Sequence, residues 1–453
     1  MKKYIKYLVC GSLYFTMGCS DFLDVETPKN QIDTQMVFND ERTAHAAMMN
    51  VYASMRNTGF LSGNREGIGS LLGAYTDELE VVTPQSIGVR YFYELNVQPN
   101  NSTVKNLWDN TYKQIYMVNQ MIVGINNAEG LTAETKNQLI GESLGIRGIL
   151  HFYLSQTFGA VPYVTGIDYQ VNKKIGKQGE AQVLQLAVAD LMQAHLLLET
   201  GAPSDDKTRI NTTVVNAFLA RMYLYQQNWV KASEYAQLII DDNRFQMEPL
   251  ASVFLKGSTS AIWQLKPELE GRNTLEGENY IFTALPAPVM KLNNALVNVF
   301  ETGDLRKSVW IGTVDAENHY AFKYKQRGMT AGGTLEYSVI VRLEEMYLIK
   351  AEAAAQMSDF DTCNAMLNSL RLRAGLPALD MSDKTTAVDA VLNERRRELF
   401  CELGHRFYDL KRYGKLDEVK DVKPSWQPFY NLLPLPLNEL TLNPNLLPQN
   451  EGY

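Results

Sequence analysis

Two stretches of this chain carry the same helical spacing, and that repetition limits the folds open to it. Residues 213–243, TVVNAFLARMYLYQQNWVKASEYAQLIIDDN, read as a helix, a short turn and a second helix. Leu219, Ala220, Tyr223 and Ala232 fall at the spacings of a tetratricopeptide repeat, in which small residues let two helices approach and a tyrosine fills the groove between them. Residues 341–374, VRLEEMYLIKAEAAAQMSDFDTCNAMLNSLRLRA, repeat the pattern. Aligning NWVKA with DFDTC sets Cys363 on Ala232 and Leu367 on Ala236, so Cys363 reads as a small buried residue. One helix pair cannot bury its apolar face alone. The expectation is a mainly α, helical-repeat scaffold.

Other helices extend that scaffold. ERTAHAAMMNVYASMRN begins one just after Asn39. Trp108, Tyr112, Ile115, Asn119 and Ile122 share a helical face, with Ser102 as the expected N-cap. A further helix over 133–158 stops at GAVPY, and another covers 179–199. Two excursions interrupt the series. Residues 58–100 are rich in Gly, Pro, Asn and Ser and read as a long loop region. Residues 247–340 hold short strands at SAIWQLK and HYAFKYK amid loops.

Ligand sites concentrate on loops held by a rigid scaffold. A pyranose offers an apolar face for aromatic rings and hydroxyls for Asn, Asp and Arg. The first excursion supplies Arg65, Tyr75, Asp77, Tyr91 and Tyr93 as candidate ligand-binding residues, and the second supplies Arg272, Asn279, Tyr280 and Trp310. Tyr91 and Tyr93 alternate along what reads as an extended segment, which would set both rings on one face. Trp263, inside a strand, is assigned to the core.

Catalytic patterns are lacking. Asp77, Glu78 and Glu80 are too close in sequence to face each other across a glycosidic bond. The chain has no GxSxG, HExxH or phosphate-binding glycine loop. No Cys/His spacing suits zinc, and without an EF-hand loop the sequence does not say whether calcium binds; no metal site is assigned, and the only cofactor expected is a lipid. His405 reads as structural. The run ERRREL suggests a basic patch, but Glu394, Glu398 and Glu402 interleave with its arginines and point to ion pairs.

The chain opens MKKYIKYLVCGSLYFTMGC. Lys2, Lys3 and Lys6 precede a short apolar core, the layout of a secretory signal rather than a membrane span. Gly18 and Cys19 resemble a bacterial lipobox, with Thr16 where that pattern favours leucine. Residues 1–18 are then a signal peptide, and Cys19 is the lipidation site, its sulfur carrying the acyl anchor. Ser20 and Asp21 resemble a surface-export signal. Residues 19–38 form the tether, and 39–453 form one domain. Loss of three lysines with the signal moves the net charge from −8 to about −11, which disfavours nucleic acid as a partner. Cys363 and Cys401 remain, and a disulfide between them stays open.

The chain as a whole resembles the SusD/RagB family, surface lipoproteins of Bacteroidetes nutrient uptake. The resemblance rests on Cys19, the Trp108–Tyr112–Asn119 helix, and the Arg147 helix running into FGAVP. It continues through VRLEEMYLIKAEA, RLRAGLP, NERRRELFCELGHRFYDLKRYG and the closing NPNL and QNEGY. It implies about four tetratricopeptide-like helix pairs with an irregular ligand-binding subdomain. It implies a non-catalytic, lipid-anchored protein at the outer-membrane surface that captures an oligosaccharide and delivers it to a SusC-like TonB-dependent transporter. A peptide-binding member of the family and a tetratricopeptide scaffold without small ligand are the alternatives.

Overall fold

The computed structural model describes residues 37–38, 40–82, 87–199 and 206–453. The signal peptide, Cys19 and most of the tether lie outside the described residues.

Helix α1 (Glu41–Asn57) starts at Asp40, whose carboxylate accepts from the Thr43 amide. After α2 (Ile68–Tyr75) and α3 (Ile87–Tyr93) come the long helices α4 (Ser102–Asn127) and α5 (Ala133–Phe158). Asn101, not Ser102, caps α4, accepting from the amides of Thr103 and Val104 at 2.8 and 3.2 Å. Then follow α6 (Glu180–Leu198), α7 (Thr212–Tyr225) and α8 (Trp229–Ile240). Helices α9 (Leu343–Gln356), α10 (Phe360–Arg373), α11 (Lys384–Glu398) and α12 (His405–Arg412) complete the major elements.

Four pairs stack side by side: α1 with α4, α5 with α6, α7 with α8, and α9 with α10. Contacts of α4 with α5, α6 with α7 and α8 with α9 join them into one series. The repeat spacing explains the packing. Leu219, Ala220, Tyr223 and Ala232 are buried, and the Tyr223 ring stacks on Tyr235 at 5.5 Å. Cys363 takes the place of Ala232 in the α9–α10 pair and is fully buried. It is a free thiol, as is buried Cys401, so no disulfide joins them.

Polar groups sunk in the stack fix its register. Arg147 on α5 grips Asp190 of α6 through two 2.7 Å bonds and donates to Asn119 of α4. Arg221 on α7 does the same to Glu345 of α9 and donates to the Tyr153 hydroxyl of α5. Bidentate geometry sets angle as well as distance between helices.

Among the described residues, three two-stranded antiparallel sheets lie in the excursions. Strand β1 (Leu79–Val81) pairs with β3 (Met290–Leu292), β2 (Ala261–Leu265) with β6 (Ser338–Arg342), and β4 (Ile311–Asp315) with β5 (Asn318–Ala321). The first pairing, with Leu79 opposite Leu292, ties the two excursions together. The 58–100 segment is therefore not simply a long loop: it contributes α2, β1 and α3.

The ERRREL run is where scaffold and excursions lock. Apart from a 3.5 Å contact between Arg397 and Glu394, its charges look outward to other elements. Glu398 receives Arg342 from β6, Arg306 from the second excursion and Arg373 from α10. Glu394 pairs with Arg306, Arg395 with Asp409, and Arg397 with Glu301. Burial opposes ionisation of Glu398, but Arg373, Arg342 and Arg306 together hold its carboxyl well below the usual range.

Candidate functional site

The chain between α1 and α2 is a tight loop whose amides and carbonyls are largely spent internally. Asn64 donates to the Asn57 carbonyl at 2.7 Å and accepts from the Glu66 amide at 2.8 Å. Gly67 closes the loop, since a Cβ there would sit 1.7 Å from the Ser62 carbonyl oxygen. A second glycine, Gly63, lets the other excursion approach, since a Cβ there would lie 2.0 Å from Glu276 Oε2. Asn279 donates to the Gly63 carbonyl at 2.7 Å, and Arg56 donates to the Lys266 carbonyl at 3.1 Å.

The second excursion presents two strands of loop to this point. Asn273 holds them together: its amide donates to the Gly328 carbonyl, and its oxygen accepts from the amides of Leu335 and Glu336. Arg272 and Met329 form an isolated bridge beside it. Buried Glu336 accepts from the Lys325 and Gln326 amides, and burial pushes its carboxyl up to about 7. A rim results, built from residues 62–66, 268–279 and 326–335. Arg65, half-exposed Arg272, Glu278 and Asn279 supply polar groups along it, and exposed Leu269 and Met329 supply apolar surface. Arg272 and Glu278 are 3.7 Å apart. Beneath the rim a cavity of about 20 Å³ lies beside the buried, unpartnered Oε2 of Glu276. It is too small for a sugar, so a saccharide would sit on the rim rather than in it.

Of the nine candidate binding residues, this arrangement gathers Arg65, Arg272 and Asn279. Four others are built into the interior. Tyr75 packs among Phe92, Phe407, Trp426 and Tyr430 with no exposed face. Tyr280 is buried with its hydroxyl 3.0 Å from that of Ser70, and Trp310 donates to the Leu250 carbonyl at 2.8 Å. Asp77 spends both oxygens on Arg406 and one on Arg396; burial opposes it, but Arg406 and Arg396 hold it below its usual range. None of these side chains reaches a ligand while the core stays closed.

Tyr91 and Tyr93 lie on α3, not on an extended segment. Helical residues two apart point to different sides, so the rings do not line one face. Tyr93 carries the Lys423 ammonium 4.7 Å from its ring centre, and both tyrosines are partly exposed. The start of α3 abuts the rim, since a Cβ on Gly88 would lie 3.1 Å from Glu66 Oε1. Sequence reading missed Asn64, Leu269, Glu278 and Met329. The NREG turn was a signal for the first; the others carry no periodic signature.

Asp77 and Glu78 do not face each other across an open cleft. Glu78 is buried beside Asp77, its carboxyl pushed up to about 7 by burial and by Asp77, and it accepts from the Cys401 amide. Both carboxylates face the interior. His405 is buried, and burial together with Arg221 and Arg395 holds its ring neutral, well below the usual range. Among the described residues, no three His, Cys, Asp or Glu side chains gather as a metal would require. Fold and rim together define a helical-repeat binding protein.

Comparison with known proteins gives the family. Residues 311–453 match the SusD family model, and residues 21–224 match one described as "starch-binding associating with outer membrane". SusD-like protein P25 of Formosa agariphila is 22% identical over 97% of this chain and 98% of its own length. SusD-like protein P2 of the same organism is 26% identical over the full length of both. A SusD superfamily structure from Bacteroides vulgatus superposes with a TM-score of 0.80 at 19% identity, covering 91% of this chain and 99% of its own. A laminarin-binding SusD-like protein superposes at 0.74 with 21% identity, covering 91% and 100%. The chain belongs to the SusD/RagB family, a carbohydrate-binding, outer-membrane-associated family.

Proposed function

We propose that this chain is a cell-surface lipoprotein, anchored through Cys19, that captures an oligosaccharide on the rim and passes it to a SusC-like TonB-dependent transporter without turning it over. The observation that carries this reading is the convergence of the two excursions. The Asn279–Gly63 bond and the close approach of Gly63 to Glu276 bring together the segments that carry Arg65, Arg272 and Asn279, which supports these three as ligand contacts. Guanidinium and carboxamide groups bond sugar hydroxyls, and Leu269 and Met329 can cover an apolar sugar face. The family's description and the laminarin-binding neighbour support a glycan, and the lipobox-like Cys19 supports the anchor.

Glycan and peptide microarrays probed with the chain lacking residues 1–19 test the ligand class. Binding to a glycan set that falls by about tenfold or more in an Arg65→Ala, Arg272→Ala double variant is expected, the size of a typical contact-cluster loss. Binding to peptides alone would move the protein to the peptide-binding reading. Failure on both arrays by folded protein would remove the capture role.

A further inference from the structure

Far along the helical stack, a groove of about 660 Å³ opens between the end of α5, the start of α6 and the α7–α8 turn. That volume lies in the range of small-molecule sites. Its lining is rich in carboxamides, Gln156, Gln185, Gln226 and Gln227, with the Tyr225 ring as apolar surface above buried Leu184. Gln156 is the telling member. It is only 4% exposed, and its side-chain amide, with no hydrogen bond to a described residue, keeps its remaining contact with solvent at the groove floor. A carboxamide that meets water at the floor of a groove can exchange that water for a ligand hydroxyl. The Tyr225 hydroxyl likewise has no partner among the described residues. The charges at this end cancel, because Glu180 accepts from Lys411 at 2.9 Å, and Lys411 also donates to the Gln156 main-chain oxygen.

We propose that this groove is a second binding site for a neutral carbohydrate, separate from the rim. A carboxamide both donates and accepts, which matches the dual character of a sugar hydroxyl. The cancelled charge disfavours an ionic ligand, and the partly exposed tyrosine ring suits the C–H face of a pyranose. The inference stands on the groove alone and does not depend on the rim. A second, weaker contact on one molecule would raise the residence of a long chain through effective concentration.

The test is hydrogen–deuterium exchange of the full mature chain with millimolar laminarihexaose, maltohexaose, xylohexaose, mannohexaose or chitohexaose, and with tetra-alanine as a neutral peptide. At least one hexasaccharide is expected to slow exchange in residues 181–185 and 225–228. A Gln185→Ala, Gln226→Ala variant, altered only at the groove mouth, should weaken that protection about tenfold, the loss expected from one or two hydrogen bonds. Gln156→Leu should do the same, and the Arg65→Ala, Arg272→Ala variant should leave it intact. Four results overturn the proposal: no protection from any sugar, protection that survives the groove variants, protection by tetra-alanine alone, or protection lost with the rim variant. Only the first bears on rim capture as well, and rim peptides read in the same experiment separate the two.

Discussion

Replacing Glu398 with alanine removes the acceptor on which three arginines converge. Arg342, Arg306 and Arg373 approach its carboxylate at 2.7, 3.0 and 2.5 Å, and the four side chains are at most 10% exposed. Breaking a buried pair leaves uncompensated charge and costs about 3–5 kcal/mol. Asp304, Glu394, Glu344 and Glu402 keep the arginines partly paired, which favours the lower end. With an unfolding entropy of about 2.1 cal/mol/K per residue, a chain of this size should lose roughly 3–6 °C in melting temperature. Glu418→Ala is the control: its half-exposed carboxylate meets Arg406 at 3.3 Å, and such a pair is worth about 0–1 kcal/mol. The folded-state pKa of Glu398 is depressed, so its contribution is present above the unfolded value and lost as pH falls through the folded one. The gap between wild type and variant should therefore hold from neutral pH down to about pH 4 and close only below it. Calorimetric melting at several pH values measures both. Equal shifts for the two variants at neutral pH, or a gap undiminished in strong acid, would refute the reasoning.

Gly67→Ala should destabilise by about 1–3 kcal/mol, because the new methyl meets the Ser62 carbonyl; a melting temperature at the wild-type value would contradict the loop geometry. Tyr93→Ala should cost about 1 kcal/mol through the lost Lys423 contact and leave glycan affinity within about twofold. A loss matching that of Arg65→Ala, read by calorimetric titration, would place the ring on the ligand instead. Reductant should leave the melting temperature unchanged, because Cys363 and Cys401 are separate buried thiols; a fall on reduction would reveal a bridge.

The scaffold was legible because helix spacing is a local property. The expected helix over 133–158 is the observed Ala133–Phe158, and the alignment of Cys363 with Ala232 correctly placed a buried thiol. Ser102 failed as a cap only because Asn101, one residue earlier, has the better acceptor. The site was legible in part. Both excursions were located, but which of their side chains face outward depends on partners far away in sequence. Asp77 looked available until Arg406, 329 residues on, folded against it. Tyr75, Tyr280 and Trp310 lie within the two irregular excursions and are nonetheless drawn inside by other aromatics and by single hydrogen bonds. Alternation misled at Tyr91 and Tyr93 because a short apolar run fits a strand or a helix equally well. The β1–β3 pairing that ties the two excursions together spans about two hundred residues and leaves no trace in either segment alone.

A crystal structure of the mature chain with an oligosaccharide selected on the glycan array tests the central claim most directly. The account predicts sugar density across residues 62–66 and 269–279, with Arg65, Arg272 or Asn279 within hydrogen-bond distance of its hydroxyls. Bound sugar elsewhere with that rim empty would contradict it.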